Sequence, residues 1–316
     1  MNRCLICTAE TPDASQYHPN CLKKVFGSRV KPELDIRSDQ LQELAEKMVS
    51  QRVTMPGAQS KISLSVEKKA RGTSKLVIAG SCGRFILKPP SERRPEFPEN
   101  QHCTMRMAEV AGIETAPNGL IHLASGERAY ITKRIDRDAD SRRFAMEDMC
   151  QITGRLTEEK YKGSHEEIAK IIREYSENPL YDLTRYFDLV FFSYLTGNGN
   201  MHLKKFSMLR DPQTGWKLAP ACDLLSTRLA MPVEKDQDEF ALTLNGKKSN
   251  LKKDSFMEFG QGIGLKRKQV TTLIDKLVSK RNKFIEIIEN SFLSKEKKTM
   301  YRAIILFSTR RILFDT

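Results

Sequence analysis

Between Tyr194 and Met208 the chain reads YLTGNGNMHLKKFSM. An apolar run, DLVFFSYL at 188–195, stops before Gly197, and Asn198, Gly199, Asn200 and His202 follow before the chain turns apolar again at Phe206. A polar, glycine-bearing loop at the mouth of a core is a setting for binding or group transfer. This one offers two amides, an imidazole and the ammonium groups of Lys204 and Lys205, but no carboxylate. Three other stretches could serve the same chemistry. MPGAQSKISLS at 55–65 puts a glycine turn ahead of a strand, where backbone N–H groups could face phosphates, although a lone glycine also fits a simple β-turn. FILKPP places Lys88 among apolar neighbours at a strand end, a costly position for an ammonium unless an anion pairs with it. LAPACDLLSTR seats Asp223 in an apolar context just after a strand; alone, such an aspartate is usually a structural cap.

The elements that must position these groups are legible in outline. β-like runs fall at 61–66, 74–80, 84–90 and 128–135, with a helix expected at about 38–51 and another over 99–116 that Gly112 closes. From about 141 onward helical spacing dominates, over 143–153, 164–177, 180–196, 267–290 and 295–306. One hairpin interrupts them at 206–226, turning at Asp211–Gly215. The pattern predicts an α+β, two-lobed protein with a β-rich lobe over 1–135, an all-helical lobe over 136–316 and a ligand cleft between them. In order along the chain come a glycine turn, a strand lysine, a helix, a polar loop, a hairpin and an aspartate. That is the part order of a protein-kinase-like phosphotransferase.

The stretches GAQSKISL, FILKPP, TKRIDRD, EDMCQITG, LTGNGNMHLKKFSML and LAPACDLLST, spanning about 54–227, resemble the HipA family of bacterial toxin serine/threonine kinases. Their joint order is far more specific than any one of them. The glycine turn lies so near the N-terminus that the chain looks most like HipT, the shortened toxin of three-component toxin–antitoxin systems. The resemblance implies an ATP cleft between the lobes. Gly57, Ala58, Gln59, Ser60 and Lys61 would cover the ATP phosphates, Lys88 would contact the α and β phosphates, and Thr132, Lys133 and Arg134 would form the hinge beside adenine. His202 would brace the catalytic loop and Asp223 would hold Mg2+. Thr54 stands near the position of an autophosphorylated serine, with Ser60 and Ser63 as competitors.

The resemblance further implies transfer of the ATP γ-phosphate to a protein serine, with aminoacyl-tRNA synthetases as targets and growth arrest as the result. Partners would be a small HipS-like antitoxin and a DNA-binding HipB-like antitoxin. The chain departs from the family's G-N-x-D-M-H-x-K-N loop at two places. Asn200 stands where the catalytic base belongs and Lys205 where a metal ligand belongs, while Gln101 stands near the glutamate that pairs the strand lysine. An amide side chain cannot take a proton. The alternative reading is therefore a pseudokinase, or a nucleotide- or antitoxin-binding module without turnover.

Cys4, Cys7, His18 and Cys21 form C-x2-C-x10-H-x2-C. The ligand types suit tetrahedral zinc, but the spacing is shorter than that of common fingers, and a small cysteine-bearing packing unit is the favoured expectation. Seven cysteines, an odd number in apolar contexts, read as reduced thiols of a cytoplasmic protein rather than a disulfide framework. No run approaches a membrane span and the N-terminus lacks a signal-peptide core. The net charge of +13 is concentrated in residues 246–316, which hold 17 Lys and Arg against 7 Asp and Glu. This favours a solvated helical surface over direct nucleic-acid binding, because no nucleic-acid-binding motif accompanies it.

Overall fold

The computed structural model describes residues 2–12, 15–41, 61–69, 73–90, 95–138, 140–231 and 238–314. The chain forms two compact units. One comprises Met1–Cys103, Ala116–Arg142 and Asn290–Phe292; the other comprises Thr104–Thr115, Arg143–Glu289 and Leu293–Thr316. The first is β-rich and the second mainly helical, so the α+β expectation holds.

The first unit carries α1 (Pro19–Phe26), β1 (Ile62–Lys68), β2 (Ser74–Ile78), β3 (Phe85–Lys88), the start of α2 (Phe97–Ala111), β4 (Asn118–His122) and β5 (Arg128–Lys133). The strands form one antiparallel sheet in the order β2-β1-β3-β5-β4. Ile62, Leu64, Phe85, Leu87, Tyr130 and Ile131 are buried and form its core. Lys88 ends β3 in register with Tyr130 of β5. The four strand-like runs of the sequence all appear. The strand β4 was not legible, since its NGLIH carries one strong strand former, Ile121. Pairing with β5, Leu120 opposite Tyr130, recruits it. Helix α2 stops before Gly112, whose φ of 84° is the left-handed stop expected there. Residues 38–41 are helical, and the rest of the helix expected to 51 lies outside the described residues.

The second unit adds β6 (Met146–Asp148), α3 (Met149–Ile152), α4 (His165–Tyr175), α5 (Pro179–Leu195), β7 (Ser207–Asp211), β8 (Gly215–Leu218), α6 (Thr227–Ala230), α7 (Lys253–Gly262), α8 (Arg267–Ser279), α9 (Arg281–Asn290) and α10 (Lys295–Phe314). Three expectations need refinement. The region is not all helical, because the hairpin β7–β8 gains β6 as a third antiparallel strand. The helix expected over 143–153 is shortened for the same reason. Met146–Asp148 pair with β7, and Asp148 then opens α3 by accepting from Gln151 N at 3.0 Å, while Gln151 Oε1 accepts from Asp148 N at 2.9 Å. The helix expected over 267–290 is two helices meeting at Lys280.

Helix α5 is the centre of this unit. Tyr186, Phe187, Phe191 and Phe192 are all buried. Phe187 stacks on Phe259, Phe191 meets Phe256 edge-on at 4.9 Å, and Phe192 meets Phe284 edge-on at 5.9 Å. Gly260 lets α7 and α8 approach closely, since a Cβ there would lie 2.5 Å from Val270. No helix among the described residues is long and apolar enough to cross a membrane.

His165 sits inside this aromatic core, fully buried, with Nδ1 2.7 Å from the Tyr186 hydroxyl. Burial pushes its pKa down to about 3. The unfolded chain therefore binds the proton first, near its ordinary pKa of about 6.5. Stability due to the neutral form is complete above that pH and is lost as pH falls toward 3. Urea titrations between pH 7 and 5 should show this loss, and His165→Asn should reduce the slope by about 1.4 kcal/mol per pH unit, one proton's worth. An unchanged slope would mean that His165 is charged in the folded protein.

Candidate functional site

The sequence-predicted residues fall on two sets, one in each unit. In the first unit Lys88 is 3% exposed, and its ammonium donates to Gln101 Oε1 of α2 at 3.2 Å. The ammonium also lies 5.6 Å from the centroid of the Tyr130 ring. Gln101 thus takes the place beside the strand lysine that the sequence reading gave it, with a neutral carbonyl oxygen instead of a carboxylate. Thr132 and Lys133 end β5, with Lys133 N donating to Pro117 O and Arg134 N to Arg84 O, both at 2.8 Å. Arg134 grips Asp136 through two hydrogen bonds of 2.8 and 2.7 Å. Lys61 immediately precedes β1. Thr54, Gly57, Ala58, Gln59 and Ser60 lie outside the described residues. Ser63 is buried on β1 and its Oγ accepts from Gly83 N at 3.1 Å. That hydroxyl is closed to a phosphoryl donor in this conformation, so its candidacy as a phosphate acceptor loses support.

In the second unit the loop after α5 carries Asn198, Asn200, His202 and Lys205. Gly197 has a φ of 63° and a Cβ there would lie 3.1 Å from both Arg228 and Ile304, so the turn requires glycine. Thr227 of α6 holds the loop from outside: its Oγ1 accepts from Gly199 N at 2.9 Å and donates to Gly197 O at 3.2 Å. The two lysines have separate partners. Lys204 donates to Asp148 Oδ2 at 2.8 Å, the carboxylate that also caps α3, which ties the loop to the EDMCQ stretch. Lys205 donates to Asp223 Oδ2, and both side chains are largely buried, 16% and 18% exposed.

Asn200 Oδ1 faces the Tyr161 hydroxyl at 3.5 Å, and the Tyr161 ring meets His202 edge-on at 5.1 Å. His202 is pushed down to about 3, by burial first and then by the charges of Lys205 and Lys160. It is therefore neutral near pH 7 and a weak base. Asn200 is an amide, and Lys205 is engaged with Asp223. The polar side chains of this loop can hydrogen-bond and carry positive charge, but none of them is tuned to take a proton near neutrality. Mg2+ fits this donor set poorly. The carboxylate that would ligate it already has an ammonium on Oδ2, and an ammonium and a divalent cation repel each other at one ligand. Tyr161 and Thr227 are contributors that sequence reasoning missed. Thr227 closes the LAPACDLLST stretch but had no role assigned to it there, and Tyr161 reaches the loop from a segment without a recognisable pattern.

Residues 53–284 match the HipA-like C-terminal domain. The chain belongs to this family. A Haemophilus influenzae protein named "Putative kinase" is 30% identical over 239 residues, covering 67% of this chain and 69% of that protein. A Sinorhizobium fredii protein, "Putative kinase Y4mE", is 33% identical over 240 residues, covering 71% of this chain and 55% of that protein. The chain thus spans about two thirds of the first relative and little more than half of the second. The fold resembles HipA of Shewanella oneidensis, solved with HipB and its operator DNA, at a TM-score of 0.67 and 18% identity, covering 98% of this chain and 81% of that one. It also resembles the Helicobacter pylori proinflammatory kinase CtkA, at a TM-score of 0.53 and 16% identity, over 72% of this chain and 87% of that one. This HipA-like chain therefore has a kinase-type fold.

Proposed function

We propose that the chain is a HipT-like protein of a bacterial toxin–antitoxin system, which binds ATP and whose phosphoryl transfer is held down by its own residues. The observation that carries this reading is the Lys205–Asp223 ion pair. Relative to the family pattern, one unit of negative charge is lost at Gln101 and another at Asn200, and one unit of positive charge is gained at Lys205. A tetraanionic nucleotide needs positive charge around its phosphates, which magnesium supplies in an ordinary kinase. Here Lys88 would meet the phosphates, and Lys205 already sits on the carboxylate that would hold the metal, so ATP would bind without magnesium. ATP would be covered by Gly57–Lys61 and lie beside Thr132–Arg134. The antitoxin partners are a small HipS-like protein and a DNA-binding HipB-like protein. The ancestral activity is that of a serine/threonine protein kinase acting on an aminoacyl-tRNA synthetase and on Thr54 or Ser60 of its own chain.

Calorimetric titration with ATP, once with magnesium and once with EDTA, tests the reading. Affinity should differ by less than about threefold, an interaction difference below ~1 kcal/mol. Absence of ATP binding under both conditions would refute nucleotide binding. A gain of about tenfold or more with magnesium would refute the surrogate role of Lys205.

A further inference from the structure

We propose that Cys4, Cys7, His18 and Cys21 form a structural zinc site that fastens the N-terminal segment to the edge of the first unit's sheet. The sequence favoured packing without a metal; the geometry points the other way. One ligand atom from each residue lies within 4.8 Å of all the others. A closed tetrahedral site with zinc–sulfur bonds of about 2.3 Å would bring the sulfurs to ~3.8 Å apart, a contraction of at most about 1 Å. Cys7 Sγ is already 3.2 Å from His18 Nδ1, and Cys21 Sγ is 4.0 Å from it.

The imidazole is oriented as a ligand. Its Nε2 lies 3.0 Å from the Glu10 carbonyl oxygen, which can only accept, so Nε2 carries the proton. Nδ1 then presents its lone pair to the thiols. A second hydrogen bond that fixes the tautomer of a metal-bound histidine is the usual support of such sites. Thiols are weak donors, and a single S–H···N contact accounts for Cys7 but not for the convergence of three sulfurs on one nitrogen. The three cysteines are not paired with one another. The backbone also bends to gather them: Thr8, directly after Cys7, has a φ of 64°, which a β-branched residue rarely adopts, and Thr8 N donates to Cys4 O at 2.9 Å. Three sulfurs and one nitrogen in a closed set match zinc rather than magnesium or calcium, which take oxygen ligands. Binding would displace the thiol protons and leave three thiolates and a neutral imidazole on the metal.

The site has something to hold. β4 is an edge strand, and Leu120 N donates to Leu5 O at 2.8 Å. The Tyr17 hydroxyl donates to Leu120 O at 3.1 Å, and Ile6 O is 2.9 Å from His102 Nε2 of α2. Leu5 and Ile6 are the two residues between the first cysteines. The proposed zinc would therefore fix the loop that covers the sheet edge and contacts α2 one residue from Gln101.

The full chain, purified without chelator, should contain about one equivalent of zinc by elemental analysis. Chelation should lower its melting temperature by about 5 °C or more, and zinc should restore it. His18→Ala and Cys21→Ser should lose the metal, whereas His18→Cys, which keeps four ligands, should retain it. Cys82→Ser and Cys222→Ser, at exposed cysteines outside the cluster, should retain it as well. If the ligand variants fail to fold, cobalt titration of the unaltered chain replaces them, with a thiolate-to-cobalt charge-transfer band and tetrahedral d–d absorption as the expected result. Protein that carries no zinc and takes up neither zinc nor cobalt would overturn the proposal. So would iron alone at the site.

Discussion

Asn200→Asp with Lys205→Asn should turn the chain into a measurable phosphotransferase. Asn200→Asp returns a carboxylate that can take the acceptor hydroxyl's proton, a contribution of about 10²–10⁴-fold for a positioned general base. Lys205→Asn removes the ammonium from Asp223 and opens that carboxylate to magnesium. The two changes act on one transition state, so their effects should exceed or fall short of additivity rather than simply multiply. Labelled ATP and mass spectrometry should find phosphate on Thr54 or Ser60, and expression without antitoxin should slow growth. If Asn200→Asp alone restores full transfer, Lys205 is a tolerated variant and the surrogate-cation reading fails. If the double variant binds ATP but transfers nothing, the proposed roles of 200 and 205 are wrong.

Lys88→Met should weaken ATP binding by about 10–100-fold, the loss of one hydrogen bond to a charged group at roughly 1.5–3 kcal/mol. Methionine keeps most of the buried aliphatic volume beside Tyr130 and Gln101, so the melting temperature serves as the control for folding. Gln101→Glu is the informative companion. It would place a carboxylate beside the ammonium and create the ion pair that the family pattern implies, leaving less of the lysine's charge for phosphate. ATP affinity in calorimetry should fall in both variants. Unchanged affinity in Lys88→Met, with folding intact, would place the nucleotide elsewhere.

The sequence made the fold legible where periodicity and turn chemistry agreed. ISLSV, KLVI, FILK and AYIT alternate or cluster as strands should, Gly112 closes α2, and Asp211–Gly215 closes the β7–β8 hairpin. It failed where a partner from elsewhere decides the conformation. β4 is a strand because β5 pairs with it, and β6 is a strand because β7 does, although its residues also fit a helix start. The site divided in the same way. The contrast with the family pattern that the resemblance implies, at Asn200 and Lys205 of the loop and at Gln101 of α2, was visible in one dimension. The partners of those residues were not: which lysine meets Asp223, that the other meets Asp148, and that Thr227 holds the loop are facts of three-dimensional packing. The cysteine spacing alone could not show that four ligand atoms converge, because convergence depends on a left-handed Thr8 and on the orientation of His18.

The Lys205–Asp223 pair has a historical consequence. A lineage that has taken lysine at 205 cannot easily step back one substitution at a time. Changing Lys205 first strips the ammonium from a largely buried carboxylate, and changing Asp223 first strands a largely buried ammonium. On the proposed reading, an aspartate at 200 alone would add a base while Lys205 still held Asp223, so it would recover part of the transfer and not all of it. Single changes at 205 or 223 would be destabilising, and the full gain would come only from the combination. On the proposed reading the ion pair would work as an evolutionary ratchet, preserving the fold while kinase chemistry became progressively harder to recover.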